Sequence, residues 1–512
     1  MPAKPSKSLR LHTTSHPILY EVNARVLLNE LSIQAGKNVT LDKLPNALLD
    51  EWAELGFDAI WLMGVWTTGA VGLQIAREHQ GLRVEYQKAL PDFSDDDVIG
   101  SPYAVKSYTV ARQLGGKKAL EALRAQLQKR GIGLFLDFVA NHTARDYKWV
   151  STNPEFYVNG RLGEEEEKPD YYFRAQTKNG ERTIAFGRDP YFPGWTDTAQ
   201  LNMFHPGTRT AMIETLAGIA ELCDGVRCDM AMLILRQVFA DTWGERARPQ
   251  SEGVATSEFW EEAIATVKNK SPRFVFLAES YWDLEWKLQQ LGFDYTYDKI
   301  LYDRLLHEGA SSVRDHLKAD MEFQRRCARF VENHDERRVA HALPGDAWHF
   351  AAAMIASSAP GMVLLHEGQL DGRRVKLPVQ LGRRPPEESA PATRSFYRLL
   401  LMSLDSECIR HGAWRLLNHH AGWSNNHTYQ NVIAYAWRNG SEMRFVVVNY
   451  APQNSQCYVE LDLEGIEGSS LEFRDLLSPA VYVRDRAALL NKGMYFDLPG
   501  YGMHMFDVKV VQ

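Results

Sequence analysis

The feature that most restricts the fold is a local pattern that returns along the chain: an amphipathic helical stretch, a glycine, then a short uninterrupted apolar strand. In "ALLDEWAELGFDAIWLMGVW", Leu48, Leu49, Trp52 and Leu55 recur at helical spacing. Gly56 fits a helix stop, and "AIWLM" reads as a buried strand. The unit returns in "KKALEALRAQLQKRGIGLFLDFVANH", with Leu120, Leu123 and Leu127 on one face and Gly131 as the stop. It returns where Met212, Leu216 and Ile219 precede "CDGVRCDMAMLIL", and again in "FWEEAIATVKNKSPRFVFLAES". Continuously apolar strands alternating with helices imply a parallel sheet covered by helices. Candidate strands lie near Leu19–Val22, Ala59–Met63, Leu134–Val139, Gly225–Met230, Phe274–Ala278, Phe293–Tyr297, Arg329–Glu332 and Met362–Leu365. This count predicts an α/β fold, a (β/α)8 TIM barrel. Periodicity alone leaves a doubly wound sheet open.

Two departures from the repeat divide the chain. The third and fourth strands are separated by far more than one helix, so residues 142–202, rich in aromatics and turn residues around "GEEEEK", read as a small inserted domain. From 417 to 512 the pattern becomes short alternating strands ("VIAYAWR", "RFVVVNYA", "CYVELDL", "MYFDL"), which predict an antiparallel β-sandwich. Residues 1–141 and 203–416 then form the barrel.

The 512 residues carry a net charge of −7, which argues against a nucleic-acid partner. The five cysteines are widely spaced without a zinc-like cluster, as expected of a reduced compartment. "MPAKPSKSLRLHTTSHP" has no apolar signal-peptide region, and no run is long enough to span a membrane. The expectation is a cytoplasmic protein with no membrane partner.

In a parallel barrel, catalytic groups sit at the C-terminal strand ends. Here "LFLDFVANH" ends with Asp137, Asn141 and His142; "GVRCDM" carries Arg227 and Asp229; "FVFLAES" ends at Glu279; "RFVENHDERR" carries Asn333, His334 and Asp335. Each alone has a structural explanation as a cap, rim residue or satisfied core group. Together they place three carboxylates on one face. That suits glycoside hydrolysis by a retaining route, which needs a carboxylate nucleophile and a protonated carboxylic acid. Arg227 and Asp229 share side-chain parity, so both can face the lumen and neutralise each other.

"DFVANH", "GVRCD", "AESYWD" and "FVENHD" resemble, in order, the four signature regions of the α-amylase family, glycoside hydrolase family 13, and "GFDAIWL" resembles its second-strand motif. The resemblance runs from about Tyr20 to Gln369 and implies a barrel, an insert after strand three and a C-terminal sandwich. It implies Asp229 as nucleophile, Glu279 as general acid/base and Asp335 as the carboxylate that grips sugar hydroxyls. It further implies Arg227, His142, His334 and Tyr103 as substrate-binding residues, with Asp137 and Asn141 as structural support. "NHTARDYKW" and "SPYAVKSY" resemble members acting on small α-glucosides, such as amylosucrases and oligo-1,6-glucosidases. The implied partner is an α-linked oligo- or polysaccharide, cleaved by hydrolysis or transglycosylation.

Some positions depart from the family pattern. Leu233 stands where many starch-cleaving members have histidine, and Gln200, in "TDTAQLN", stands where an acid is common. Asn141 matches a calcium ligand of some members. No metal or other cofactor is expected, Ca2+ being the one ion the resemblance leaves open. After the eighth strand, Arg373, Arg374, Lys376, Arg383 and Arg384 form a local basic excess. It raises an alternative, glycosyl transfer to phosphate or another anionic acceptor, against that of a solvated loop. A catalytically silent carbohydrate-binding protein on the same fold is the third alternative.

Overall fold

The computed structural model describes residues 9–247 and 256–511. Residues 1–8, the first part of the N-terminal stretch quoted above, 248–255 of the second barrel segment, and 512 lie outside the described residues.

Eight parallel strands close into a barrel: β1 (Ile18–Asn23), β2 (Ala59–Met63), β3 (Gly133–Val139), β4 (Gly225–Asp229), β5 (Val275–Ala278), β6 (Tyr295–Tyr297), β7 (Cys327–Arg329) and β8 (Met362–His366). Each neighbours its successor and β8 pairs with β1, which excludes the doubly wound alternative. The repeat explains the closure. The helix Gly116–Lys129 buries Ala119, Leu120, Leu123 and Leu127, and Gly131 then adopts φ +81°, where glycine has no Cβ penalty. The chain reverses there into β3, buried along its whole length.

β6 and β7 differ from expectation. Phe293 and Asp294 precede the ladder, and the Asp294 carboxylate accepts the Phe276 N–H at 2.8 Å. β7 starts at Cys327 and ends at Arg329, so Phe330–Glu332 continue outside it. Arg329 can be buried because its Nε donates to Asp298 at 3.0 Å.

Three excursions build the wall above the C-terminal strand ends. After β2 come strands Trp66–Thr68 and Val105–Val110, paired antiparallel, with helices Ala70–Glu78 and Gln80–Ala89 between them. Buried Arg25 pins this excursion by donating to the carbonyls of Gly64 (2.9 Å), Trp66 (3.1 Å) and Gly100 (3.4 Å). After β3, strand His142–Ala144 pairs with Thr198–Gln200 and closes the base of the insert, which carries a hairpin, Tyr172–Thr177 with Gly180–Ala185. The insert's acids are neutralised locally: Glu164 meets Lys168 and Arg246, and Glu165 and Glu166 meet Arg174. After β8, residues 367–390 run along the rim without helix or strand.

The C-terminal sheets stack antiparallel strands, six in one and three in the other. The larger sheet begins at Ala413–Leu416, which pairs with Val432–Asn439, so the sheet starts before residue 417. The period of two explains how the domain attaches. On Val432–Asn439, Ile433, Tyr435 and Trp437 join the barrel core, while Val432, Ala434 and Ala436 join the core between the sheets. Polar handles fix the junction: Trp437 Nε1 donates to the Ser358 carbonyl at 2.7 Å, and the Tyr450 hydroxyl to that of Leu305 at 2.5 Å.

Candidate active site

Arg227 organises the strand ends. Its side chain is fully buried at the end of β4, opposite Asp137 of β3 in the parallel register. A buried guanidinium needs counter-charges. One terminal nitrogen donates to Asp229 Oδ1 at 2.5 Å, as the shared parity predicts, and lies 3.8 Å from Asp137. The other lies 2.7 Å from Glu279 Oε2, close in charge though poorly angled for a hydrogen bond, and 4.0 Å from Asp335. The cation also sits against the rings of Trp61, Tyr103 and Tyr297, with centroids 5.3–5.8 Å away.

Above it lies a cavity of about 300 Å³ lined by Tyr103, His142, Trp195, Asp197, Asp229, Met230, Glu279, Tyr281 and Asp335, among others. Asp229, Glu279 and Asp335 therefore converge, and Tyr103 and His142 join them. Arg227 and His334, expected to bind substrate, stand behind the lining. Arg227 is covered by the carboxylates it pairs with, and both His334 ring nitrogens are engaged. Asp137 and Asn141 are also behind the wall. Asp137 accepts from Trp61 Nε1 at 3.2 Å, and burial raises its carboxyl to about 7 against the opposing pull of Arg227.

The carboxylates differ in environment. Burial raises Glu279 to about 7, with Asp229 and Asp335 adding to the rise and Arg227 opposing it. Glu279 Oε2 accepts the Met230 N–H at 2.6 Å, and Oε1 accepts from the Tyr281 hydroxyl at 2.8 Å. Met230, the residue after Asp229, takes a left-handed φ of +42°, which aims that N–H across to β5. Asp335 keeps 46% of its side chain exposed towards the cavity. Its surroundings desolvate it, yet His334, Arg227 and Lys376 outweigh that effect and hold its carboxyl well below the usual range.

His334 is flanked by acids. Its Nδ1 meets Glu21 Oε1 of β1 at 2.5 Å; its Nε2 faces Asp335 Oδ2 at 2.9 Å and the Tyr103 hydroxyl at 2.7 Å. Burial disfavours the charged ring, but Asp335 and Glu21 prevail and raise it well above its ordinary value. His142 has no such partner, and burial lowers it. Its ring packs on Trp195 at 5.2 Å. Gly187 permits this closeness: a Cβ there would come within 2.9 Å of the His142 Cβ.

Glu21, Tyr281, Trp195 and Asp197 are site residues that the sequence reading missed. Tyr281 and Asp197 lie inside the quoted "AESYWD" and "TDTAQLN", and Glu21 stands out as a single acid inside the apolar strand "ILYEVN". Within the basic loop after β8, Arg383 and Arg384 are engaged by acids rather than left free to cluster with Arg373 and Arg374. Arg383 pairs with Asp92 and Asp97, and Arg384 with Glu30 and Glu367. Lys376 reaches the backbone carbonyl of Asp335.

Beside the site, Gln200 Nε2 donates to Asn141 O and Oδ1, both at 2.9 Å, and to Leu201 O at 3.1 Å. An amide NH2 group thus lies within hydrogen-bond distance of three oxygens. Among the described residues, no group of three or more His, Cys, Asp or Glu is arranged to hold a metal.

The family model described as "Alpha amylase, catalytic domain" matches residues 47–432. Alpha-amylase MalA of Haloarcula japonica is 24% identical over 365 residues, 70% of this chain and 44% of its own length. The alpha-1,4-glucan:maltose-1-phosphate maltosyltransferase of Rhodospirillum rubrum is 26% identical over 284 residues, 54% of this chain and 34% of its own. The match thus spans less than half the length of either relative. Among solved structures, the maltogenic alpha-amylase AmyB from Thermotoga neapolitana superposes with a TM-score of 0.66 at 18% identity, covering 98% of this chain and 100% of that one. The alpha-amylase from Geobacillus thermoleovorans, complexed with acarbose, gives 0.64 at 16% identity over 99% and 100%. At such identities the likeness is one of fold.

Proposed function

The chain belongs to the α-amylase family, and from that premise we propose that it is a retaining enzyme that cleaves α-glucosidic bonds of α-glucans or small α-glucosides. The observation that carries this reading is the single buried guanidinium of Arg227, which engages Asp229 and Glu279 from adjacent strands beneath a cavity that Asp335 also lines.

Asp229 is the nucleophile. It attacks the anomeric carbon as Glu279 gives its proton to the departing glycosidic oxygen, leaving a glycosyl ester on Asp229. Glu279, now a carboxylate, takes a proton from water or an acceptor hydroxyl, which attacks the same carbon and frees Asp229. Two inversions give net retention. A carboxyl at about 7 suits both halves of this exchange near neutral pH. Asp335 grips sugar hydroxyls, and the Glu21–His334 pair holds it in place. Tyr103 and His142 border the reacting sugar, and Arg227 orients the carboxylates from below. The relatives' names, an alpha-amylase and an alpha-1,4-glucan:maltose-1-phosphate maltosyltransferase, support a glucan substrate, and the second of them names a sugar phosphate as well. The ion pairs that occupy Arg383 and Arg384 weigh against an anionic acceptor. All five cysteines are free and buried, which supports a reduced, cytoplasmic setting. No described helix is long and apolar enough to cross a membrane.

Product analysis on maltose, maltotriose, soluble starch, sucrose and trehalose, with and without phosphate, tests the reading. Free or transferred glucosyl products insensitive to phosphate are expected. A sugar phosphate as the main product would replace this reading with phosphorolysis.

A further inference from the structure

Tyr281 lines the cavity beside the proposed acid and has no part in the steps above. Its hydroxyl lies 2.8 Å from Glu279 Oε1. The local chain explains this placement. β5 ends at Ala278, and in the short stretch that follows Glu279 and Tyr281 both line the cavity, while Ser280 between them is fully buried, as strand-like alternation requires. The Ser280 hydroxyl donates to the Tyr297 carbonyl of β6 at 3.2 Å and anchors the stretch from behind. Directly afterwards, Trp282 and Asp283 turn the chain with left-handed φ values of +65° and +60°, a region costly for non-glycine residues and concentrated at functional sites.

The two oxygens of Glu279 are not equivalent. Oε2 accepts the Met230 N–H at 2.6 Å and lies 2.7 Å from the Arg227 guanidinium. A proton on Oε2 would be opposed by both groups, so the proton of the acid belongs on Oε1. The partner of Oε1 is the Tyr281 hydroxyl. A hydroxyl can accept from a protonated oxygen and donate to an ionised one. Tyr281 keeps its own proton in both states, because burial and the neighbouring Glu279 raise it well above the ordinary phenol value.

We propose that Tyr281 is a positioning residue for the general acid: it holds Glu279 Oε1 as the oxygen that delivers the proton, and it donates a hydrogen bond to that oxygen as negative charge develops there. Because Tyr281 acts through Glu279, this inference rests on the proposed function. In the cleavage step the Glu279 O–H bond breaks, its proton passes to the glycosidic oxygen, and the Tyr281 hydroxyl turns from accepting to donating. In the second half Oε1 takes a proton from water or an acceptor hydroxyl, and the tyrosine turns back. A hydrogen bond to a charged oxygen is stronger than one between neutral groups, so Tyr281 favours the ionised form of Glu279. Arg227 and Asp229 of β4, Tyr297 of β6 and Asp335 beyond β7 also face this pair, and all of them stay when the hydroxyl alone is removed.

Tyr281→Phe removes the hydroxyl and keeps the ring. At pH 6, kcat/KM for maltotriose should fall about tenfold, against less than about twofold for α-glucosyl fluoride, whose departure needs no proton. The alkaline limb for maltotriose should move up by about half a pH unit or more, because the ionised carboxylate has lost a donor. In the Glu279→Gln background the same substitution should cost less than about twofold more. An equal loss on both substrates, an unmoved limb, or the full tenfold loss in the Glu279→Gln background overturns the proposal. Carboxyl 13C NMR of glutamate-labelled protein, with the Glu279 resonance assigned by its loss in Glu279→Gln, reads the same coupling without turnover. Its titration midpoint should rise by the same amount in Tyr281→Phe even if the parent cleaves neither substrate, an outcome that would sink the proposed function separately. An unmoved midpoint overturns the role of Tyr281.

Discussion

The proton on Glu279 should set the alkaline edge of activity. A carboxyl moved from its ordinary 4.5 to about 7 is a few kcal/mol harder to ionise in the site than in water, at about 1.4 kcal/mol per pH unit. Bond cleavage needs the protonated form. That form makes up about nine-tenths of the enzyme at pH 6 and just under one-tenth at pH 8, so kcat/KM for an ordinary α-glucoside should fall about tenfold between them. Glu279→Gln removes the titrating proton. It should lose about 10²- to 10⁴-fold at pH 6 and leave a flat profile over the same range. With α-glucosyl fluoride, whose departure needs no proton, the same variant should retain far more of the parent's kcat/KM. Initial rates from pH 5 to 9 on both substrates give the answer. A parent profile that is flat from pH 6 to 8, or a variant that keeps the parent's limb, would refute the reasoning.

Arg227→Met should leave the carboxylates of Asp137, Asp229 and Glu279 crowded without their cation. The pull of Arg227 on Asp137 and Glu279 is lost and their folded-state values rise further, so stability present at low pH is lost as pH climbs through them. Urea unfolding should show a loss of about 3–5 kcal/mol at pH 8 and much less at pH 5. A pH-independent loss would count against the cluster's electrostatics. Glu21→Gln should remove one of the two acids holding the His334 imidazolium. Its raised value drops, so the charged ring is lost at lower pH, and kcat/KM on α-glucosyl fluoride should fall about tenfold at pH 8 and less at pH 6. Superimposable pH profiles for parent and variant would remove Glu21 from the site.

The barrel was legible because its long strands are apolar throughout and follow amphipathic helices, a pattern that depends only on neighbouring residues. The strand-end motifs singled out Asp229, Glu279 and Asp335 for the same reason, and the three line one cavity. What was not legible depends on distant partners. Glu21 acquires its role from His334, 313 positions away. β7 was misplaced because Arg329 becomes a core residue only through Asp298. The helices Ala70–Glu78 and Gln80–Ala89 carry ordinary amphipathic periodicity, which hides their place in an excursion that delivers Tyr103 to the cavity. Arg383 and Arg384 looked like a free basic run because Asp97 and Glu30 lie hundreds of residues upstream.

The central claim is that Asp229 forms a covalent glycosyl intermediate with Glu279 as its acid/base partner. Proton NMR of the first sugar released from an α-glucoside, recorded before mutarotation, tests it most directly. The account predicts the α-anomer as the initial product, and no turnover by Asp229→Asn. A β-anomer as the first product would contradict it, because a single displacement with carboxyls set wider apart would then be at work.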